Sequence, residues 1–471
     1  MRMTRWVAAG SLSLALIGCV RFDGIGHQST PVTVPVAVVD ATFNAWPVRA
    51  WWTDYRDPML NALITSALAE SPDIRGAEGR LRAVQALTGF ANSTLLPQVN
   101  AGFSSLWQRY SEHSLVPESL LGGRASDNSL AFNLNYEVDL FGKNHALRAA
   151  FMALTQSDQL NMQVARLAVS SAVARAYFKL GEACAQVDVL EATMSQRRRI
   201  LELVKARVAL GLDSTVELRQ AEGALPQTQE ALENLAEEVS LLRNTLNRLT
   251  LMPLEKTNQI HPRLTTIAPP QLPANIPADL IGHRPDVQAA KWQVEALLHG
   301  VDYVRAQFYP SVNLSAFAGF GAIGIGNLLT GGSHIYGINP AVTLPIFDAG
   351  RLRAELKFVN ASTDFAIEHY NINVLDAMNE VINTVTSIRA LAKRKAAQAQ
   401  AQAAAEQAYS TALERFQAGL TGYLTVLSTE TAVLEERRVA TSLTARALEL
   451  DVELKRALGG GADIAALPAT K

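Results

Sequence analysis

Few residues in this chain of 471 have the types and spacing that covalent chemistry needs. The eight histidines are scattered, without a pair at metal-ligand spacing on a helix. The sequence GFGAIG at 319–324 has the glycine spacing of a dinucleotide-binding loop, but it does not open a helix as that fingerprint requires. We interpret it as part of a loop between two strands. The sequence therefore predicts no enzyme active site, no metal and no cofactor.

The most specific chemical signal is Cys19. An apolar run at 6–17, preceded by two arginines, is too short to span a bilayer and is typical of a signal peptide. It ends in LIGC, which resembles the lipobox of bacterial lipoproteins, where cleavage before the cysteine allows its acylation. The alternative is an ordinary small residue within the signal peptide. Because Val20 follows, the resemblance implies a lipid on Cys19 and sorting to the outer membrane.

The second cysteine, Cys184, lies in a helical stretch. A lipidated Cys19 leaves it without an intramolecular disulfide partner, so we expect a buried structural thiol.

Charge and composition exclude some classes of partner. The chain has 42 basic and 44 acidic side chains, which gives no electrostatic footprint for nucleic acid and no polybasic membrane patch. A hydrophobic content of 48% argues against disorder. We therefore look for partners among proteins and membrane lipid.

The chain contains one unit twice. Segments 71–100 and 284–313 each hold two prolines 25 residues apart, at an offset of 213. DLFGKNHALRA at 139 resembles PIFDAGRLRA at 345, and ARVALGLDSTVEL at 206 resembles ERFQAGLTGYLTVL at 414. Chance similarity in a helical chain rich in alanine and leucine is the alternative, but collinear order argues against it. The sequence predicts an internal repeat.

Prolines mark the predicted boundaries, because a proline inside a helix costs about 3 kcal/mol or more. None occurs at 118–225 or 346–467, whereas 253–285 holds seven. The predicted organisation is a signal peptide at 1–18, a lipidated extended N-terminal arm at 19–58, a first repeat at 59–252, a proline-rich connector at 253–283, a second repeat at 284–460 and a flexible C-terminus at 461–471.

Long helices are predicted at 145–250 and 350–458. Residues 145–210 contain no strong breaker, which allows a rod of about 100 Å. In the helix that follows, apolar residues step by 3 and 4, the seam of a coiled coil. They are Leu232, Leu235, Val239, Leu242, Leu246 and Leu249.

Strand pairs are predicted at 97–141 and 311–347, with strands at about 97–109, 128–141, 311–321 and 335–347. They alternate with a period of two. One face is bulky and apolar, and the other is polar, as in outer-membrane barrels. The expected pore-lining residues are Asn133, Asn135, Glu137 and Asp139. Phe317 is on the polar face and is a mild objection to an open pore.

Four strands cannot close a barrel, and an open sheet edge cannot face lipid. Two copies would give eight strands with a filled interior, whereas three give twelve strands and a lumen. We therefore expect a homotrimeric pore.

The mature chain resembles the TolC-type outer-membrane efflux channels, and most of all their lipoprotein (NodT-like) branch. The resemblance is carried by LIGC, YEVDLFGK, RPDV, RAQFYPSVNLSA, LPIFDAGRLRA and two GL turns. It implies a mostly α fold with a small β part. Long antiparallel coiled-coil helices would form a periplasmic tunnel, and four strands per protomer would join a twelve-stranded transmembrane barrel.

The implied function is the exit duct of a tripartite efflux pump in the outer membrane. It would passively conduct small molecules from an inner-membrane transporter and a periplasmic adaptor to the outside. The alternative is a trimeric lipoprotein scaffold or adhesin without a conducting pore.

The resemblance also implies a gate at the periplasmic tip. The gate residues expected from the family pattern are Glu217, Phe416, Thr425 and Ser428, and the expected adaptor-contacting turns are Gly211, Leu212, Gly419 and Leu420. For Glu217 the alternative is a solvated residue at a helix start, where the helix dipole favours a negative charge.

Overall fold

The computed structural model describes residues 22, 24–32, 49–113, 115–267 and 282–460. The predicted signal peptide, Cys19, most of the N-terminal arm, the middle of the connector and the C-terminus at 461–471 lie outside these residues. The described residues form two compact units. One lies within residues 1–31, 80–159 and 289–371, and the other within 32–79, 160–288 and 372–471.

The order of elements repeats, and paired helices have nearly equal lengths. The helices are α1 (Pro58–Glu70), α2 (Pro72–Ser93), α3 (Lys143–Ala209), α4 (Thr215–Thr250), α5 (Leu254–Thr257), α6 (Pro285–Ala306), α7 (Arg351–Gln417) and α8 (Tyr423–Ala457). The strands are β1 (Gln98–Arg109), β2 (Arg124–Val138), β3 (Ser311–Ile323) and β4 (His334–Thr343). Helices α2 and α6 have 22 residues each, and α3 and α7 have 67 each. The predicted internal repeat and the mostly helical fold with a small sheet are confirmed.

The first unit holds the sheet. Its four strands are antiparallel in the order β1-β2-β3-β4. Helix α6 buries a stripe at helical spacing, with Val294 against Ile367 and with Val301 and Val304 against Leu356 of α7. In the described part of the chain, no helix has both the length and the apolar character needed to cross a membrane.

The second unit holds the larger core. The predicted seam of α4 faces it, with Val239 and Leu246 buried and Leu242 and Leu249 packed against the same cluster. Phe178 of α3 is fully buried there. The 3–4 spacing therefore correctly identified the buried side of α4.

The prediction of an extended arm up to residue 58 is wrong at its end. Trp51–Tyr55 form a short 3-10 helix, and the rings of Trp51 and Tyr55 are buried. Tyr55 packs edge-on against Phe178 and donates its hydroxyl hydrogen to Asp451. Burial of two large rings, worth several kcal/mol, holds this stretch against the helices.

Two predictions based on breaker residues also need correction, and one proline departs from the rule that prolines mark boundaries. Pro226 lies inside α4, between buried Ala224 and Thr228, whose packing outweighs one lost backbone hydrogen bond. The described part of the connector includes the single turn α5. The prediction that GFGAIG at 319–324 lies in a loop is also wrong. Its first five residues belong to β3, which continues through Ile323 before the chain turns.

Candidate functional site

The polar side chains expected on the strands lie in cross-strand rows on one face of the sheet. The Ser315 hydroxyl donates to Asn135 Oδ1 over 3.1 Å. Nearer the loops that join the strands, Asn133 Nδ2 is 3.4 Å from Asn100 Oδ1. The register brings Asn133 and Asn135 onto the same face, as expected. The row through Asn135 is entirely polar: Gln98, Asn135, Ser315 and Asn339.

The opposite face of the sheet is apolar and uncovered in the single chain. More than half of each of these large side chains is exposed: Val99, Phe103, Phe132, Tyr336, Ile338 and Val342. A contiguous exposed apolar surface of this kind indicates a protein or membrane contact.

The two outer strands have one paired edge each. β1 pairs only with β2, and β4 pairs only with β3, over the residues that the structure describes. Their outer edges therefore present backbone N–H and C=O groups without sheet partners.

The prediction that Asp139 lines the strand face is wrong. β2 ends at Val138, and the Asp139 carboxylate instead accepts from the backbone N–H of His145 at 2.9 Å and lies 2.6 Å from His145 Nδ1. Burial acts to raise the pKa of Asp139, but these hydrogen bonds hold it below its ordinary value. The unpaired N–H groups at the start of α3 attract this carboxylate. Glu137 stays on β2, paired with Lys143 Nζ at 2.7 Å.

The two predicted GL turns have the same geometry and end α3 and α7. Gly211 and Gly419 have φ of 72° and 75°, the left-handed region that favours glycine. The Leu212 N–H donates to Arg207 O over 2.9 Å, and the Leu420 N–H donates to Arg415 O over 2.8 Å. These bonds close a Schellman motif at each helix end. Both leucine side chains remain exposed.

The prediction that Phe416 belongs to a gate is not compatible with the burial of its side chain. Its ring is fully buried in a cluster with Val204, Ala221, Tyr423 and Val426. Without a hydroxyl, the ring has no polar atom that needs a partner, so it packs into the core where the two turns meet.

Of the other three predicted gate residues, Thr425 and Ser428 are exposed and Glu217 is partly exposed. Ser214 caps α4, and Glu217 completes a capping box by accepting from the Ser214 N–H at 3.0 Å and from the Ser214 hydroxyl. These hydrogen bonds lower the pKa of Glu217. On α8, Ser428 donates to Thr425 O over 3.0 Å. The contacts of Glu217 are therefore those of a residue at a helix start, as the alternative expects. Its role in a gate stays a prediction.

A buried polar cluster below the turns was missed by the sequence analysis. Arg197 Nε donates to Glu430 over 2.9 Å, and its Nη1 donates to Ala224 O and the Thr228 hydroxyl over 3.1 and 2.9 Å. Gln196 donates to Glu430 over 3.3 Å. Burial raises the pKa of Glu430 in spite of the arginine. The cluster joins α3, α4 and α8.

The sequence did contain a signal for this cluster. Glu430 falls in a stripe of buried residues on α8, and Arg197 begins one on α3, so each charge occupies a position where an apolar side chain is expected. The stripes are Tyr423, Val426, Glu430 and Val433 on α8, and Arg197, Ile200, Leu201 and Val204 on α3.

Comparisons with known proteins agree with this architecture. The model of the family described as outer membrane efflux protein matches residues 63–250, within the first repeat, and residues 276–460, which cover the end of the connector and the second repeat. The multidrug resistance outer membrane protein MdtQ of Escherichia coli O6:H1 is 28% identical, with 97% of this chain and 98% of that protein covered. The fusaric acid resistance protein FusA of Burkholderia cepacia is 33% identical, with 75% and 69% covered. The toluene efflux pump outer membrane protein TtgF of Pseudomonas putida is 29% identical, with 96% of each covered.

Solved structures show the same fold. The outer membrane protein VceC of Vibrio cholerae superposes with a TM-score of 0.83 at 33% identity, covering 88% of this chain and 100% of that one. The open state of the MtrE outer membrane channel of Neisseria gonorrhoeae has a TM-score of 0.81 at 25% identity, covering 93% and 98%.

Proposed function

The chain belongs to the outer membrane efflux protein family, and from that premise we propose that it is the exit duct of a tripartite efflux pump. Three copies form a pore through which small molecules pass without an energy source of the channel's own. Relatives named for multidrug resistance, fusaric acid resistance and toluene efflux support drugs or other toxic compounds as the exported class.

The observation that carries this proposal is a sheet with two open edges, one polar face and one exposed apolar face. Lipid cannot satisfy open edges, because each unpaired backbone group there costs several kcal/mol. Three antiparallel pairings separate β1 from β4, so β4 of one copy is antiparallel to β1 of the next when the copies form a ring. Three copies give twelve strands, apolar outward and polar inward, which leave a lumen.

The same proposal includes a lipid anchor. Acylation of Cys19 holds the mature N-terminus at the inner leaflet of the outer membrane, beside the inserted barrel, while the long helices extend into the periplasm. A closed barrel spans the membrane by itself, so the barrel and the lipid are two independent attachments.

The helix turns are proposed as the contact for a periplasmic adaptor, which connects the duct to an energised inner-membrane transporter. Four leucines at the turns are each more than 60% exposed: Leu210, Leu212, Leu420 and Leu424. Exposed apolar side chains at a helix end favour a protein partner. Glu217, Thr425 and Ser428 lie beside these turns and are proposed to line the gate. Phe416 supports the turns from beneath and is left out of the gate.

The decisive experiment measures assembly and conduction on one sample. Full-length protein exported to the outer membrane is extracted in detergent, its mass is determined by light scattering, and it is inserted into planar bilayers. We expect a trimer that forms ion-conducting pores. We also expect it to restore drug resistance to a strain that lacks this channel. A monomer contradicts the barrel, and a trimer that never conducts supports the scaffold or adhesin.

A further inference from the structure

One aromatic side chain interrupts the polar face of the sheet. Among the residues of the four strands given above, Phe317 is the only aromatic side chain on that face. Ile323 and Ile335 are on the same face, nearer the loops. The other positions of β3 and β4 on that face are small or polar: Ser311, Asn313, Ser315, Gly319, Gly321, Gly337, Asn339, Ala341 and Thr343.

Phe317 lies directly over Gly337, its register partner on β4. A Cβ placed on Gly337 would be 2.7 Å from Cε1 and 2.8 Å from Cζ of the ring, closer than real Cβ contacts. The ring therefore fills the space of the side chain that glycine lacks. Only 40% of Phe317 is exposed, because the ring lies against the sheet and does not stand away from it.

The other neighbour of Phe317 leaves no similar space. On β2 its register partner is Asn133, whose amide is held by Asn100 Oδ1 at 3.4 Å and Ala131 O at 3.5 Å. If a side chain at 337 displaced the ring of Phe317, the Asn133 amide would block its movement toward β2. The ring could then move only away from the sheet.

We propose that Phe317 and Gly337 together set the free width of the duct at their level. This rests on the proposed function, which turns the polar face toward the lumen. Glycine at 337 lets the one aromatic side chain of that wall lie flat. Any side chain at 337 raises the ring into the lumen, once in each of three copies. Because the ring of Phe317 lies flat over Gly337, its place on the polar face is compatible with an open pore.

The test measures how large a molecule can pass Phe317 from the side of the loops. Ser315 is two residues nearer the helices on the same face, so a cysteine there reports passage. Ser315→Cys is introduced into the full chain with Cys184→Ala, and intact cells are treated with maleimide polymers of graded size. This assay does not depend on the state of the periplasmic tip.

We expect Gly337→Ala to lower the size limit for labelling and Gly337→Ala with Phe317→Ala to restore it. Gly102→Ala is the matched control, because Gly102 is on the same face and a Cβ there has only Asn133 Nδ2 near it, at 3.9 Å. It should leave the limit unchanged.

Each outcome separates the two proposals. If Gly337→Ala does not assemble, Phe317→Ala alone is measured and should admit larger reagents than the parent. An unchanged limit in the variants that assemble overturns the proposal for this pair. A Ser315→Cys parent that even the smallest reagent cannot label contradicts the duct itself.

Discussion

The guanidinium of Arg207 lies over the ring of Phe416, with its central carbon 4.7 Å from the ring centroid. The same group donates to Phe416 O at 3.2 Å and to both carboxylate oxygens of Asp213 at 2.8 and 3.0 Å. One arginine thus joins the end of α7 to the end of α3 and to the turn that follows it. The two helix turns are therefore held as one structure.

Replacing Arg207 should loosen both turns together. Lysine keeps the charge but cannot bind Asp213 with two parallel hydrogen bonds while covering the ring. We expect Arg207→Lys to cost about 1.5 to 3 kcal/mol locally, the usual worth of hydrogen bonds to a charged group. Hydrogen exchange should show faster exchange at 210–214 and 418–422. Arg219→Lys, at an exposed pair on the same unit, is the control, and equal protection in both variants contradicts this role.

Arg284 should be among the most sensitive positions in the second unit. It is buried and donates to Asp286 at 2.7 Å, to Glu380 at 2.8 Å and to Ala457 O at 3.0 Å. Arg284→Met leaves two carboxylates without this cation, so we expect a loss of about 3 to 5 kcal/mol in the free energy of unfolding. Thermal unfolding at neutral pH measures it, and a change below 1 kcal/mol contradicts it.

The same cluster predicts a direction of pH dependence. Burial acts to raise the pKa values of Asp286 and Glu380, but hydrogen bonds from Arg284 hold both below their ordinary values. Such carboxylates stabilise the fold above their unfolded pKa values, near pH 4, and this stability is lost as the pH falls through the lowered values. We expect the melting temperature of the parent to fall in acid more steeply than that of Arg284→Met.

Periodicity in the sequence was enough to find the strands, the buried seam of α4 and the internal repeat, because each depends on which side of an element is apolar. It did not reveal which charges become partners inside the fold. Arg197 and Glu430 each stand in a buried stripe, but only the packing of α3 against α8 brings them together. The predicted position of Asp139 was wrong for a related reason. Its carboxylate accepts a hydrogen bond from the start of α3, and the residue lies beyond the end of the strand.

The two faces of β2 should respond differently to a charge. Leu134 lies between Val99 and Ala316 on the apolar face, whereas Asn135 lies in the polar row. Leu134→Arg should cost about 2 to 4 kcal/mol near the middle of a membrane barrel, and Asn135→Arg should be tolerated. The yield of heat-resistant trimer in the outer membrane measures both. Equal loss in the two variants contradicts the assignment of faces.

The lipid on Cys19 should be dispensable for insertion. A closed barrel is a transmembrane element by itself, so its insertion does not depend on the lipid. Cys19→Ser, exported with a signal peptide that needs no cysteine, should still insert and trimerise but lack bound lipid by mass spectrometry. A soluble periplasmic monomer would show that the barrel assignment is wrong.

The gate proposal can be separated from the capping role of Glu217 by one substitution. Glutamine also completes a capping box, so Glu217→Gln keeps the start of α4 and removes only the charge. The hydrogen bonds from Ser214 lower the pKa of Glu217, so the carboxylate stays ionised at neutral and mildly acidic pH. Three copies of this charge at a narrow mouth would concentrate cations, because like charges there focus the field. Planar bilayers should therefore show a cation preference that Glu217→Gln reduces.

Ser428→Asp should act in the opposite direction. Ser428 is exposed on α8, and its one hydrogen bond to Thr425 O is local, so an aspartate there adds charge without removing a partner in another helix. If these side chains line the mouth, the variant should increase the cation preference and make the pore sensitive to block by multivalent cations. Thr431→Asp, an exposed position further along α8, is the control and should change selectivity less. If neither Glu217→Gln nor Ser428→Asp alters the reversal potential in a salt gradient, Glu217 only caps its helix and the gate lies elsewhere.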